Sequence, residues 1–195
     1  MNKKLKLLLI FILTLSCKSS FAGLYSDIEN GIKAYNKNDF KLAKEYFKHP
    51  VDIIDLGTGS GVIGLTLEKE LQTNTIDLVD ISKEALEVAK TNCKKHNSKA
   101  KIIQNDMLNN ITKKYDIIIS NPPYIKTNEE IEDIVRDNEP YLALYAGEDG
   151  LDCYRKIIDD LQNHMKDKCI VAFEIGYEQA SDITNLVKEK LPDVQ

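Results

Sequence analysis

From Val51 onward the chain alternates short apolar runs with stretches of helical spacing. VDIIDL (51–56) is an apolar run that ends in a glycine-rich turn, the pattern of a buried strand. Residues 62–71 carry Ile63, Leu67 and Leu71 at helical spacing. TIDLVD (75–80) is a second strand, and Ser82 is placed to cap a helix whose apolar stripe is Ala85, Leu86 and Ala89. KIIQ (101–104) and YDIIIS (115–120) are the third and fourth strands. Helical patterns follow at 131–135 and at 152–165, where Tyr154, Ile157, Ile158 and Leu161 share one face. CIVAFEI (169–175) is a fifth strand and 179–190 a last helix. Strands alternating with helices imply right-handed crossovers and a parallel sheet covered on both faces, so the predicted fold is α/β, doubly wound.

The first fifty residues follow a different pattern. Lys3, Lys4 and Lys6 precede an apolar run from Leu7 to Leu15 broken only by Thr14, and Ser20-Phe21-Ala22 follows. This matches a signal peptide over residues 1–22, and the run is too short for a spanning helix of roughly 20 apolar residues. In 24–48 the spacing predicts a helical hairpin: Ile28, Ile32 and Tyr35 on one face, Phe40, Ala43, Tyr46 and Phe47 on another, with 36–39 as the turn. The expected organisation is a signal-like segment (1–22), a helical hairpin (23–49) and an α/β domain (50–195).

Charge sharpens that division. The 195 residues carry a net −5, but residues 1–50 hold nine Lys against four acids, whereas residues 51–195 hold 17 Lys and Arg against 27 acids. An acidic body with no basic stripe argues against a dedicated nucleic-acid binder. Cys17, Cys93, Cys153 and Cys169 form no C-x-x-C pair, so neither a metal site nor a disulfide framework is expected.

The unusual residues stand at strand ends, where open α/β sheets bind ligands. Gly57-Thr58-Gly59-Ser60-Gly61 follows the first strand, and glycines there permit a sharp turn and close backbone approach. Asp80 ends the second strand, about twenty residues on, placed to accept both hydroxyls of a ribose. The loop lacks the nicotinamide-site spacing and the lysine of a phosphate loop, so a cofactor without phosphates suits it; S-adenosyl-L-methionine fits. Asp106 and Met107, after the third strand, are candidates for the adenine edge.

The fourth strand ends in Asn121-Pro122-Pro123-Tyr124. Two prolines remove two donors, which leaves carbonyls free to face a pocket. An Asn oxygen and a Pro carbonyl make two acceptors suited to one planar NH₂ group, and Tyr124 offers a flat wall for it. His49, His96 and His164 show no catalytic spacing.

DLGTGSGVIG, the strand ending at Asp80, NPPY, RDNEPYLALYAGEDGLDCYRKI (136–157) and FEIGYEQ (173–179) together resemble the protein-(glutamine-N5) methyltransferases of peptide-chain release factors, the HemK/PrmC type. The 1–48 segment resembles a signal peptide plus one tetratricopeptide or Sel1-like unit. The methyltransferase resemblance implies a Rossmann-like class I fold using S-adenosyl-L-methionine, with a release factor as substrate and neither metal, nucleic acid nor stable membrane span. It implies that Gly57, Thr58, Gly59, Ser60, Gly61, Asp80, Asp106, Met107 and Asn121 hold the cofactor. Asn121, Pro122, Pro123 and Tyr124 would hold the glutamine, with Asn121, Pro122 and Tyr124 serving catalysis.

Alternatives are a nucleic-acid amino-methyltransferase sharing NPPY, and an exported helical-repeat protein with an inactive methyltransferase part. The family has a helical recognition domain before its catalytic domain and an antiparallel strand pair after it. Neither is expected here, so the fifth strand is expected to be an apolar edge open to pairing. The domain reads as cytoplasmic, against a leader that reads as an export signal.

Overall fold

The computed structural model describes residues 10–16, 50–71 and 73–192. In chain order the elements are β1 (Ile10–Ser16), β2 (Val51–Leu56), α1 (Val62–Glu70), β3 (Thr73–Asp80), α2 (Lys83–His96), β4 (Lys101–Gln104) and β5 (Tyr115–Ser120). There follow α3 (Asp133–Arg136), α4 (Tyr141–Leu144), α5 (Asp152–His164), β6 (Met165–Glu174) and α6 (Ala180–Lys190). The helical hairpin expected at 23–49 lies outside the described residues.

One sheet of order β1-β6-β5-β2-β3-β4 carries the fold, with every pairing parallel except β1 on β6. Successive residues of a strand face opposite sides, so Ile53, Ile76, Leu78, Ile117 and Ile170 pack on one face with Leu65 and Cys93. Ile54, Leu56, Val79, Ile118, Val171 and Phe173 pack on the other, beneath α5 and α6. The apolar runs read from the sequence are thus buried on both faces, as strands in the middle of a parallel sheet must be.

Helix ends follow local chemistry. The Ser82 hydroxyl accepts the Ala85 N–H at 3.1 Å, capping α2 as expected. At the other end Asn97 takes a left-handed φ of 54° and the Ser98 N–H returns to the Cys93 carbonyl at 2.9 Å, which closes the helix. In α5 the expected stripe of Tyr154, Ile157, Ile158 and Leu161 is buried, and Tyr154 packs edge-on against Phe173 at 5.6 Å. At the amino ends of the strands, Lys166 bridges Asp52 and Asp116 while the Tyr115 hydroxyl donates to Asp77 at 2.8 Å. Half-buried charges there are paired, which offsets the cost of removing them from water.

Two expectations change. The last strand begins earlier than its apolar run, at Met165, which pairs with Tyr115 at the start of β5. Nor is that strand left as an open edge: Ile10–Ser16 pairs with it antiparallel, from Ile10 opposite Glu174 to Ser16 opposite Lys168. A seven-residue strand along that edge pairs its N–H and C=O groups with those of β6. The stretch read as the core of a signal peptide is therefore a strand in this structure, and export finds no support in it. No helix among the described residues is long and apolar enough to cross a membrane.

The core makes a direct prediction. Ile157 is fully buried between the sheet and α6. Ile157→Ala should lower unfolding free energy by about 2–5 kcal/mol, read as a shifted urea midpoint. A loss below 1 kcal/mol would mean that the site is not close-packed.

Candidate active site

The strand order reverses between β2 and β5, and the two most unusual sequence features follow those two strands. Parallel pairing sets Leu56 opposite Ser120, and the Ser120 hydroxyl donates to the Leu56 carbonyl at 2.7 Å. The glycine loop and Asn121 therefore leave the sheet side by side. A Cβ placed on Gly57 would stand 3.9 Å from the Asn121 carbonyl oxygen. Asp80 and Gln104 are opposite one another at the ends of β3 and β4, so Asp106 and Met107 emerge along the same rim.

The loop shape depends on residues without a Cβ. Gly57, Gly59 and Gly61 have φ of 66°, 56° and 81°, in the left-handed region that other L-residues disfavour. Asp80 braces the loop: its carboxylate accepts the Gly59 N–H at 2.8 Å and the Ser82 N–H at 2.9 Å. A carboxylate offers about four acceptor positions, so both oxygens keep capacity for ribose hydroxyls. Loop and carboxylate together form a cradle with no cation in it, which fits S-adenosyl-L-methionine better than a phosphorylated cofactor.

The residues expected at the cofactor also make contacts within the protein. Thr58 is buried, and its hydroxyl donates inward to Asp55 at 2.7 Å, so its side chain secures the loop from below. The Ser60 carbonyl accepts from Asn92 of α2 at 2.9 Å, and Ser60 lines an open groove between α1 and α2. That groove includes none of Asp80, Asp106 and Asn121. Asp106 pairs with Lys156 at 2.9 Å on the rim. Met107 takes a φ of 52°, and its side chain packs partly against the core.

Asn121 is exposed at the end of β5, while Pro122 is buried and Pro123 and Tyr124 are half-buried. The chain after Tyr124 is stitched to the AGEDG stretch: the Ile125 N–H donates to the Leu144 carbonyl, the Ala146 N–H to Ile125, and the Thr127 N–H to Gly147, each at 2.9 Å. Burial pushes the Tyr124 phenol up, with Glu174, Glu139 and Glu129 adding in the same direction. The Tyr124 phenol is therefore held in its neutral form. His164 is buried at the other end of the sheet, its Nδ1 3.2 Å from the Lys113 carbonyl. Among the described residues no cluster of three His, Cys, Asp or Glu could hold a metal.

Asp55 directly precedes the glycine loop, and only its surroundings in the fold mark it out. It is 1% exposed, and its Oδ2 accepts from Thr58 and, at 2.9 Å, from the Gly64 N–H of α1. Its Oδ1 has no partner among the described residues. A Cβ on Gly64 would meet this carboxylate at 3.0 Å, so glycine is needed for the approach.

Burial pushes the Asp55 carboxyl up to about 6, against the opposing pull of its two hydrogen bonds. A carboxyl that ionises with more difficulty in the folded chain favours folding while protonated. That stabilisation is complete below about pH 4 and is lost as pH rises through about 6. Asp55→Asn lacks this titration. The stability of the wild type relative to Asp55→Asn should therefore fall between about pH 4 and 6, by on the order of 2–3 kcal/mol, in urea melts. A flat difference across that window would refute the assignment.

Comparison with known proteins agrees with this geometry. The chain is 41% identical over 154 residues to the release factor glutamine methyltransferase of Streptococcus pneumoniae, covering 78% of this chain and 55% of that protein. It is 44% identical over 142 residues to the enzyme of the same name from Bacillus subtilis, covering 70% and 49%. The chain thus spans about half the length of the curated relatives it matches. The fold is shared with the ribosomal protein L11 methylase of Lactobacillus delbrueckii subsp. bulgaricus, at a TM-score of 0.57 and 19% identity over 80% of this chain and 69% of that one. A methyltransferase from Pyrococcus furiosus superposes at 0.55 with 18% identity, over 90% and 76%. The methyltransferase small domain family matches residues 41–142. With that match over half its length, the chain belongs to the methyltransferase small domain family.

Proposed function

We propose that residues 50–195 form an S-adenosyl-L-methionine-dependent methyltransferase domain acting in the cytoplasm. Its acceptor is the side-chain amide nitrogen of a glutamine in a peptide chain release factor. The carrying observation is the adjacency of two loops: a cation-free glycine cradle braced by Asp80, and Asn121-Pro122-Pro123-Tyr124 alongside it. The names of the curated relatives support the substrate. The surroundings of the acceptor loop support a protein rather than a nucleic acid: between Lys126 and Asp149 eight exposed Asp and Glu face two basic residues. Such a surface repels a phosphodiester chain and attracts a cationic polypeptide.

Bound S-adenosyl-L-methionine supplies an electrophilic methyl on a positively charged sulfur. The chain's own residues would then orient the nucleophile. An amide nitrogen is weakly nucleophilic because its lone pair is delocalised into the carbonyl. The Asn121 side-chain oxygen and the Pro122 carbonyl would accept its two N–H bonds and aim the lone pair at the methyl. The same acceptors stabilise positive charge as it develops on nitrogen. Tyr124, held neutral, would stack on the amide plane. Orientation of this kind contributes about 7–11 kcal/mol without a dedicated base. As the N–C bond forms, the sulfur–methyl bond would break with its electron pair going to sulfur, leaving a neutral thioether, and the surplus proton would pass from the nitrogen to solvent.

Calorimetry with S-adenosyl-L-methionine, followed by transfer of labelled methyl to a release factor, tests the reading. Wild type should bind and transfer. Asn121→Ala should retain cofactor affinity within about threefold while turnover falls by about 10²-fold or more. Equal loss of binding and turnover would remove Asn121 from this role, and absence of cofactor binding by wild type would end the enzyme reading.

A further inference from the structure

Gln179 stands at the amino end of α6, yet its side chain makes no cap to that helix. It is 8% exposed and joins three separate stretches of chain. Its Oε1 accepts the Gly176 N–H at 3.0 Å, in the turn after β6. Its Nε2 donates to the Tyr124 carbonyl at 3.0 Å and to the Gly150 carbonyl at 3.2 Å. A neutral amide is suited to this position, because one end must accept and the other must donate twice. The space is shaped around it. A Cβ on Gly150 or on Gly176 would come within 2.8 Å of the Gln179 amide, and on Gly176 it would also meet the Tyr124 ring at 3.3 Å. Gly150 further needs its φ of 76°.

We propose that Gln179 is a positioning residue for the acceptor loop, holding Tyr124, and through it Asn121 and Pro122, at the place where the substrate amide docks. This rests on the function proposed above. The three stretches that meet at Gln179 are the loop after β5, the loop before α5 and the turn after β6, the first far from the last in sequence. Losing the donor end leaves two carbonyls without it, and the Tyr124 carbonyl is three residues from the Asn121 that would hold the substrate. The glycine cradle and Asp80 lie on β2 and β3 and make no contact with Gln179 among the hydrogen bonds of the site. Acceptor positioning and cofactor binding should therefore separate.

Two variants of the full chain test this. Gln179→Met keeps the volume and removes both donors; Gln179→Glu keeps the shape but presents a carboxylate to two carbonyls. For both, S-adenosyl-L-methionine affinity should stay within about twofold of wild type while kcat/KM for a release factor falls by about 10- to 100-fold. Gln179→Glu should recover activity toward about pH 6, where a buried carboxyl regains a proton that it can donate. Hydrogen exchange of the 121–126 backbone should accelerate in both. Wild-type transfer rates in the variants, or parallel loss of cofactor binding and turnover, would overturn the proposal. If wild type itself methylates no release factor, the exchange measurement still decides: faster exchange sustains the clamp while the substrate reading falls, and unchanged exchange overturns the clamp.

Discussion

The parallel pairing of β2 with β5 is the constraint on which the rest of the site depends. It sets Leu56 beside Ser120 and lets the Ser120 hydroxyl bond the Leu56 carbonyl, so two loops separated by more than sixty residues leave the sheet together. Sheet order reverses there, and the helices that follow the two strands turn to opposite faces, which opens a crevice between them. The apolar runs of both strands hold the pair in the middle of the sheet, because Ile53, Ile54, Leu56, Ile117 and Ile118 are covered on both faces. Chemistry at the rim is thus held in place by packing beneath it.

Around this pair the polar groups divide between holding the loops and meeting ligands. Asp55 and Thr58 secure the glycine loop from below, Asp80 braces it from the side, and the acceptor loop is tied back to the AGEDG stretch and to Gln179. Left over are the exposed Asn121 amide, which both accepts and donates, and the spare lone pairs of Asp80. The Asp80 carboxylate and the absence of a cation in the glycine loop suit a cationic methyl donor. They offer little to a phosphorylated ligand.

Much of this was legible in the chain. The five parallel strands, their order along the sequence and the Ser82 cap followed from periodicity and local hydrogen-bonding chemistry, because strands buried on both faces leave unbroken apolar runs. The glycine loop, Asp80 and NPPY stood out because their residue types are costly unless a special backbone is required. Less visible were residues whose role is to contact something distant. The Thr58 hydroxyl turns inward to Asp55 and the Ser60 carbonyl accepts from α2, contacts that the loop sequence alone does not show. The edge of β6 was expected to be bare, since nothing in local sequence says that Ile10–Ser16 would return to pair with it.

What the sequence alone determined, then, was the α/β class, the strand-end positions of the chemistry and the type of cofactor, all properties of neighbouring residues and their spacing. Only the tertiary structure decided which strand ends adjoin, that Asp55 is buried with one unpartnered oxygen, and that Gln179 gathers Tyr124, Gly150 and Gly176. The physical reason is that an apolar pattern reports burial, which every strand shares. Pairing order and side-chain partners are set by which surfaces pack together, and a lone glutamine carries no local sign of the carbonyls that it will meet.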